Sequence, residues 1–142
     1  MIMAKRTLEI PDNSAAGLAV LRIATGVVFA MHGYQKFFAM GISGVTGFFG
    51  GLGVPSPHFF AILVSTVELV GGIALILGIF TRLVAIPLVI DMMTAIVVFH
   101  AKNGFFVPKG IEFVLMLMTS CIALALAGPG AISADSIRKG KK

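Results

Sequence analysis

The chain has 142 residues, of which 58% are hydrophobic and only 12% are charged, and its net charge is +5. Its mean hydropathy is +1.03. Because soluble domains carry about 25% charged residues, this composition excludes an ordinary soluble domain and predicts a membrane protein. The short length leaves room for a single domain without a separate soluble module.

Four apolar segments are long enough to cross a bilayer, which takes roughly 17–25 residues at about 1.5 Å per residue. They cover about 17–38, 59–80, 83–100 and 110–127. Only Thr81 and Arg82 separate the second segment from the third, so we expect those two helices to be antiparallel neighbours. The sequence therefore predicts an all-α fold, a membrane four-helix bundle that forms one domain.

The two outer loops are expected to contain short interfacial segments. The first, over residues 39–58, is rich in glycine and contains Phe48 and Phe49. The second, after the third span, includes Phe105 and Phe106. Apolar residues in short glycine-rich loops are typical of segments that lie in the headgroup region of a bilayer.

The basic residues are divided unevenly between the two predicted sides. One side holds both termini and the turn at Thr81, and its basic residues are Lys5, Arg6, Arg82, Arg138, Lys139, Lys141 and Lys142. The other side holds Lys36, Lys102 and Lys109. Because lysine and arginine accumulate on the cytoplasmic side, we predict cytoplasmic termini. These residues flank spans and form no motif, so we expect contacts with membrane lipids and no nucleic-acid partner.

Two carboxylates lie deep in the predicted spans. Glu68 is about 14 Å from the outer edge of the second span and Asp91 is about 12 Å from the inner edge of the third, at about 1.5 Å per residue. Ionisable groups at that depth are costly and mark functional sites. We predict Glu68 and Asp91 as the catalytic, proton-exchanging residues. The structural alternative is that either is protonated, or that Glu68 pairs with Lys36 or Arg22.

Further polar residues outline a path that descends from the outer side. His32, Lys36 and Glu112 lie toward the outer ends of their spans and are predicted to contact the substrate. The alternatives are a hydrogen-bonded interior imidazole for His32, a lipid anchor for Lys36 and a helix-dipole contact for Glu112. Arg22 is expected to reach the inner headgroups as an anchor.

Helical phase supports this path in part. The second span has one face of small residues around its carboxylate, which predicts a close helix contact: Ala61, Ser65, Glu68, Gly71 and Gly72. His100 is nine residues from Asp91, which is half a turn away on an ideal helix. We therefore expect His100 at the mouth or the interface and not in the site of Asp91.

Several chemistries are disfavoured. Cys121 is the only cysteine, which excludes an intramolecular dithiol cycle and a cysteine metal cluster. A haem would need His32 and His100 as facing ligands, and we regard it as the weaker hypothesis. The glycines form no phosphate loop or dinucleotide fingerprint. No metal site is predicted.

An ordered set of motifs resembles the DoxX family of small bacterial membrane proteins. The resemblance covers about 18–137, and its motifs are His32-Gly33-Tyr34-Gln35-Lys36-Phe37, Gly51-Leu52-Gly53-Val54-Pro55, Glu68-Leu69-Val70-Gly71-Gly72, Gly78-Ile79-Phe80-Thr81-Arg82, Asn103-Gly104-Phe105-Phe106 and Gly128-Pro129-Gly130. The motif residues that it carries over are His32, Gln35, Lys36, Glu68, Gly71, Gly72, Thr81, Arg82, Asn103 and Gly104. Gln35 thereby joins the predicted substrate contacts, and Gly78 joins Gly71 and Gly72 at helix contacts.

The resemblance implies a four-helix protein of the bacterial inner membrane that is linked to oxidoreductase systems, including thiosulfate:quinone oxidoreductase. Our leading hypothesis is a quinone or quinol ligand that enters near the outer leaflet, with redox partner subunits that hold the electrons. Two alternatives stay open: a non-catalytic assembly subunit and a small ion-coupled transporter. The glycine-rich second span also permits a homo-oligomer.

Overall fold

The computed structural model describes residues 13–139, and these residues form an all-α fold without β-strands, which confirms the all-α part of the predicted fold class. The helices are α1 (Ser14–Tyr34), α2 (Gly41–Gly51), α3 (Pro57–Leu77), α4 (Thr81–Ala95), α5 (Glu112–Ala127) and α6 (Ala134–Lys139). The predicted antiparallel pair is present as α3 and α4, which a tight turn joins. We call the end of the bundle with that turn and α6 the α6 end, and the opposite end the α2 end.

Three helical segments within the described range are long and apolar enough to cross a membrane: Ser14–Ala39, Pro57–Leu77 and Thr81–Asn103. Helix α5 is also apolar but has only 16 residues. Five of the basic residues that predict the orientation, at positions 5, 6, 139, 141 and 142, lie outside the region whose side chains are described. Lys36, Lys102 and Lys109 all lie at the α2 end.

Helices α1 and α3 pack almost backbone to backbone. A side chain at Gly72 would overlap the backbone of Ala30, and one at Gly33 would overlap the backbone of Leu69. The small-residue face predicted for the second span is the buried face of α3. Close approach of backbones through glycine gives the dispersion contacts that stabilise helix pairs in lipid.

The other two predicted packing glycines have different neighbours. A side chain at Gly71 would lie 3.3 Å from the Leu88 side chain of α4. Gly78 ends α3 in a left-handed conformation, with φ of 68°. That conformation is unstrained only for glycine, and a side chain there would also overlap Ser133. Gly71 thus packs against α4, whereas Gly78 packs against the segment before α6.

Two of the long helices change to π-helical geometry toward the α2 end. The first π turn, Gln35–Ala39, continues α1, and the second, Ile96–His100, continues α4. A π turn inserts extra backbone into the helix and shifts the phase of every residue beyond it. Such turns are rare in proteins, and those that occur are often at functional sites.

Helix α2 occupies the loop in which the sequence predicted a short interfacial segment. It packs against α3 and the first π turn. Val45 is its buried residue, and Phe48 meets Phe99 of the second π turn edge-on with ring centroids 5.3 Å apart. Helix α2 therefore connects the two π turns across the α2 end.

The α6 end is held together by Arg22, which is fully buried. Its Nε donates to Pro129 O, its Nη1 to Leu75 O and Ile76 O, and its Nη2 to Ala131 O and Ile132 O, over 2.7–3.3 Å. These bonds use all five donors of a guanidinium. The prediction that Arg22 is a headgroup anchor is therefore wrong, because the C-terminal segment folds over it and supplies the carbonyl groups.

Asp135 of α6 caps the start of α4. Its carboxylate oxygens accept hydrogen bonds from Phe80 N and Thr81 N, both at 2.9 Å. These N–H groups belong to the first turn of α4, which has no partners inside the helix. Burial alone raises the pKa of Asp135, but the hydrogen bonds from Thr81 and Phe80 and the charge of Arg138 outweigh it, so the pKa lies below its ordinary value.

Candidate functional site

A cavity of about 900 Å³ lies at the α2 end between the helices. Its lining is mostly apolar and aromatic and includes Phe48, Phe49 and Val45 of α2. The polar residues in its lining are His32, Gln35, Lys36, Glu68, Asp91, Thr94 and His100. The structure thus brings five of the six predicted site residues to one cavity.

Lys36 and Glu68 form an ion pair at the wall of this cavity. Lys36 Nζ lies 2.5 Å from Glu68 Oε2, and the two side chains are 18% and 5% exposed. Lys36 belongs to the first π turn and Glu68 to the middle of α3, so the pair links these two elements. Of the alternatives for Glu68, the pairing with Lys36 is present, and Arg22 lies at the other end.

Asp91 lies beside this pair. Its carboxyl group interacts with that of Glu68 and with the charge of Lys36. Asp91 Oδ2 is fully buried, and the described residues supply no hydrogen-bond donor to it. With all three groups ionised the cluster would carry a net negative charge in an apolar setting, whereas one proton between the two carboxyl groups makes it neutral.

His32 and His100 border the same cavity from opposite helices. His32 Nδ1 lies 2.8 Å from Val28 O, and the His32 ring packs 6.0 Å from that of Phe113. His100 Nδ1 lies 2.7 Å from Lys109 O. We expected His100 at the mouth or the interface and not in the site of Asp91. His100 borders the cavity through an exposed contact with Lys109 O, and Asp91 also lines this cavity.

Gln35 is exposed and lines two depressions. Besides the cavity, it borders a shallow groove of about 350 Å³ on the outer face of α1, together with Met31, Tyr34 and Ala39. His32 also lines both. Gln35 and His32 therefore lie between the cavity and the exposed face of α1.

Glu112 is the predicted site residue that the structure does not bring to the cavity lining. Its Oε1 accepts a hydrogen bond from Val107 N at 2.5 Å, within the loop that precedes α5. It lies in the first turn of α5, where a negative charge favours the positive end of the helix dipole. This position agrees with the alternative considered for Glu112.

Residues that could hold a metal do not cluster within the described residues. No group of three or more His, Cys, Asp or Glu side chains has suitable spacing there. The aromatic residues of α2 were not predicted as part of the site, although Phe48 and Phe49 were noted as apolar residues of the first loop. Their position between Gly47 and Gly50 indicates an interface but does not indicate that they turn toward a cavity.

The apolar helices and the buried ion pair at a cavity define a small helical membrane protein. The chain belongs to the DoxX family, whose sequence profile matches residues 17–101. This finding confirms the resemblance that the motifs indicated.

Three relatives cover most of the chain. "Putative oxidoreductase CatD" of Bacillus subtilis is 35% identical over 127 residues, which cover 89% of this chain and 90% of that protein. The membrane protein Rv3486 of Mycobacterium tuberculosis is 36% identical over 126 residues, with 81% and 77% covered. "Inner membrane protein YphA" of Escherichia coli is 33% identical over 138 residues, with 91% and 97% covered. No solved structure matches the chain significantly.

Proposed function

We propose that this DoxX-family membrane protein binds a lipid-soluble quinone or quinol in the cavity at the α2 end and exchanges protons with it through Glu68 and Asp91. The observation that carries the proposal is the Lys36–Glu68–Asp91 cluster at the wall of a mostly apolar cavity of about 900 Å³. Ligand sites typically combine an apolar pocket of about 300–1,000 Å³ with a few convergent polar groups. An aromatic ring with oxygen substituents matches both properties.

The chemistry divides between this chain and a partner. Oxidation of a quinol releases two protons and two electrons and leaves the quinone. The pair of Glu68 and Asp91, which shares one proton at rest, accepts the quinol protons one at a time and releases the first before it takes the second. Lys36 offsets the negative charge of the cluster between transfers. The electrons pass to a flavin or a metal centre of a partner subunit. In this role the chain is the membrane component of an oxidoreductase system.

The groove on α1 supports entry from the side. His32 and Gln35 border both the groove and the cavity, and the outer face of α1 is rich in exposed apolar residues such as Met31 and Tyr34. A ligand with an apolar tail reaches such a face from within the bilayer. Its ring then passes between these two side chains toward Glu68.

The proposed topology has four spans with both termini in the cytoplasm. Helix α5, with 16 residues, is about 24 Å long at about 1.5 Å per residue. Local thinning of the bilayer accommodates such a short span. The name of the Escherichia coli relative supports the inner membrane as the location, and the name of the Bacillus subtilis relative supports a redox role.

Binding of a short-chain quinone analogue to the protein in mild detergent tests the proposal. We expect binding whose affinity changes with pH, because the charge of the carboxyl cluster changes. Glu68→Gln removes one titrating group, so its affinity should vary less with pH. Asp135→Asn, a matched carboxylate substitution at the α6 end, should behave as the wild type.

Two results would contradict the proposal. One is the absence of binding to the wild-type chain. If deletion of the gene also prevented assembly of the partner complex, that result would favour the assembly alternative. The other is an identical pH profile in the wild type and Glu68→Gln, which would place the ligand away from the cluster.

A further inference from the structure

Both histidines that line the cavity use the same ring nitrogen for an internal contact. His32 Nδ1 lies against Val28 O, and His100 Nδ1 lies against Lys109 O. A carbonyl oxygen can only accept a hydrogen bond, so each Nδ1 must carry the hydrogen. In a neutral imidazole the other nitrogen then has none and can only accept. The cavity is therefore bordered by two Nε2 acceptors.

The carboxyl cluster has the same character. Glu68 accepts from Lys36, and its carboxyl group interacts with that of Asp91. When the two carboxyl groups share one proton, that proton lies between them, and their remaining oxygens have only lone pairs to offer. The donors at the cavity are the remaining N–H groups of Lys36 and the amide of Gln35, which lies at the exposed edge.

We infer that the cavity selects ligands by their O–H groups and binds reduced quinols, or other phenols, in preference to oxidised quinones. This inference rests on the proposed function and specifies its ligand. A quinol hydroxyl can donate to His32 or to the carboxyl cluster while its oxygen accepts from Lys36. A quinone carbonyl can only accept, so it leaves the acceptors of the cavity without donors, which is costly in an apolar setting.

The selectivity has a consequence for turnover. Oxidation of the bound quinol transfers its two protons one at a time to the carboxyl pair, which already holds one shared proton and releases the first quinol proton to water before it accepts the second. The two electrons pass to the flavin or metal centre of the partner. The product has lost both O–H groups and therefore the hydrogen bonds that held the ring. The quinone then leaves toward the bilayer, so chemistry and product release are linked by the same bonds.

Three probes of nearly equal shape test this inference: a decyl benzoquinol, the corresponding quinone and the di-O-methyl ether of the quinol. Their Kd values are measured on the purified full chain in mild detergent, under anaerobic reducing conditions for the quinol. We expect the quinol to bind on the order of tenfold more tightly than either of the others, which corresponds to one net hydrogen bond. The ether separates the effect of the O–H groups from that of ring shape.

His32→Phe removes one acceptor and keeps an aromatic ring. It should weaken quinol binding on the order of tenfold and leave quinone binding within about twofold. Retained quinone binding also shows that this variant folds. His58→Phe is the matched control, because His58 is exposed, lies near Thr46 and does not line the cavity. The control should keep the wild-type preference.

The outcomes separate the two proposals. Equal affinity for quinol and quinone, or tight binding of the ether, overturns the selectivity and leaves the proposed function in place. Failure of quinol and quinone alike to bind overturns both. A preference for quinol that survives in His32→Phe shows that His32 is not the acceptor and overturns the assignment made here.

Discussion

At the α6 end the buried guanidinium of Arg22 donates to five backbone carbonyl groups, whereas at the α2 end the Lys36–Glu68–Asp91 cluster borders a cavity. In the described part of the chain, Asp91 Oδ2 has no donor. Both ends bury charged groups in an apolar protein, but only the first satisfies them completely. A fully satisfied network stabilises one conformation, while an incomplete one beside a cavity leaves capacity for a ligand.

The largest expected effect tests the α6 end. Arg22→Ala removes all five donors and leaves four carbonyl groups without the guanidinium donor, while Leu75 O keeps its hydrogen bond from Gly78 N. We therefore expect a loss of about 4–5 kcal/mol in the free energy of unfolding. Arg22→Lys keeps the charge with fewer donors and should lose less. The measurement is unfolding of the purified protein in mild detergent.

The matched control for Arg22 is Arg82→Ala at the same end. Arg82 is exposed and donates a hydrogen bond to Ala127 O at 3.3 Å. We expect a change below about 1 kcal/mol. Equal losses in the two alanine variants would show that the buried network does not hold the α6 end together.

The next effect concerns the α2 end. Lys36→Met leaves the Glu68 carboxylate buried beside Asp91 without its cation, and we expect a loss of about 3 kcal/mol in the free energy of unfolding. In a Glu68→Gln background the same substitution should lower the free energy of unfolding much less, because the side chain at position 68 then has no charge for Lys36 to neutralise. A double-mutant cycle measured by unfolding gives the coupling, and strictly additive losses would contradict the ion pair.

A smaller effect tests the backbone contact between α1 and α3. Gly72→Ala introduces a side chain against the backbone of Ala30 and should destabilise the protein by about 2 kcal/mol through overpacking. Gly71→Ala is the adjacent control, because its new methyl group meets only the movable side chain of Leu88. If thermal unfolding shows the two variants to be equally stable, α1 and α3 are not in backbone contact at Gly72.

The smallest effect concerns the cap on α4. Asp135→Ala removes the acceptor for Phe80 N and Thr81 N and should cost about 1 kcal/mol at neutral pH. Because the pKa of Asp135 is lowered in the folded protein, its contribution is present above the unfolded value and is lost as the pH falls below about 4. Unfolding measured at neutral and acidic pH should show the difference between wild type and variant shrink in acid. A constant difference would contradict the charged cap.

Hydropathy predicted the all-α class and the approximate helices because long apolar runs have few alternatives in a membrane. Depth in the spans also predicted that Glu68 and Asp91 belong together with His32 and Lys36. Each of these predictions depends on side-chain type and spacing within one helix. Such properties are local, so a single sequence is enough to read them.

The remaining features depend on contacts that have no local pattern. The partners of Arg22 are backbone carbonyl groups more than 50 residues away in sequence, and a carbonyl group is present at every residue. The π turn at 96–100 has no pattern in the sequence that would predict it. Glu112 was predicted to lie on the polar path because it is at the outer end of its span. The loop before α5 folds back, however, and Val107 N donates a hydrogen bond to Glu112 Oε1.

The separation of Arg22 from its partners also orders the assembly of the chain. A ribosome completes α1 long before it reaches Pro129, which is 107 residues further on. Until then the guanidinium lacks three of its eventual acceptors and has only Leu75 O and Ile76 O once α3 is made. The segment between α5 and α6 therefore completes the contacts of a residue in α1, and a nascent chain truncated before residue 129 leaves the Arg22 guanidinium without three of its acceptors.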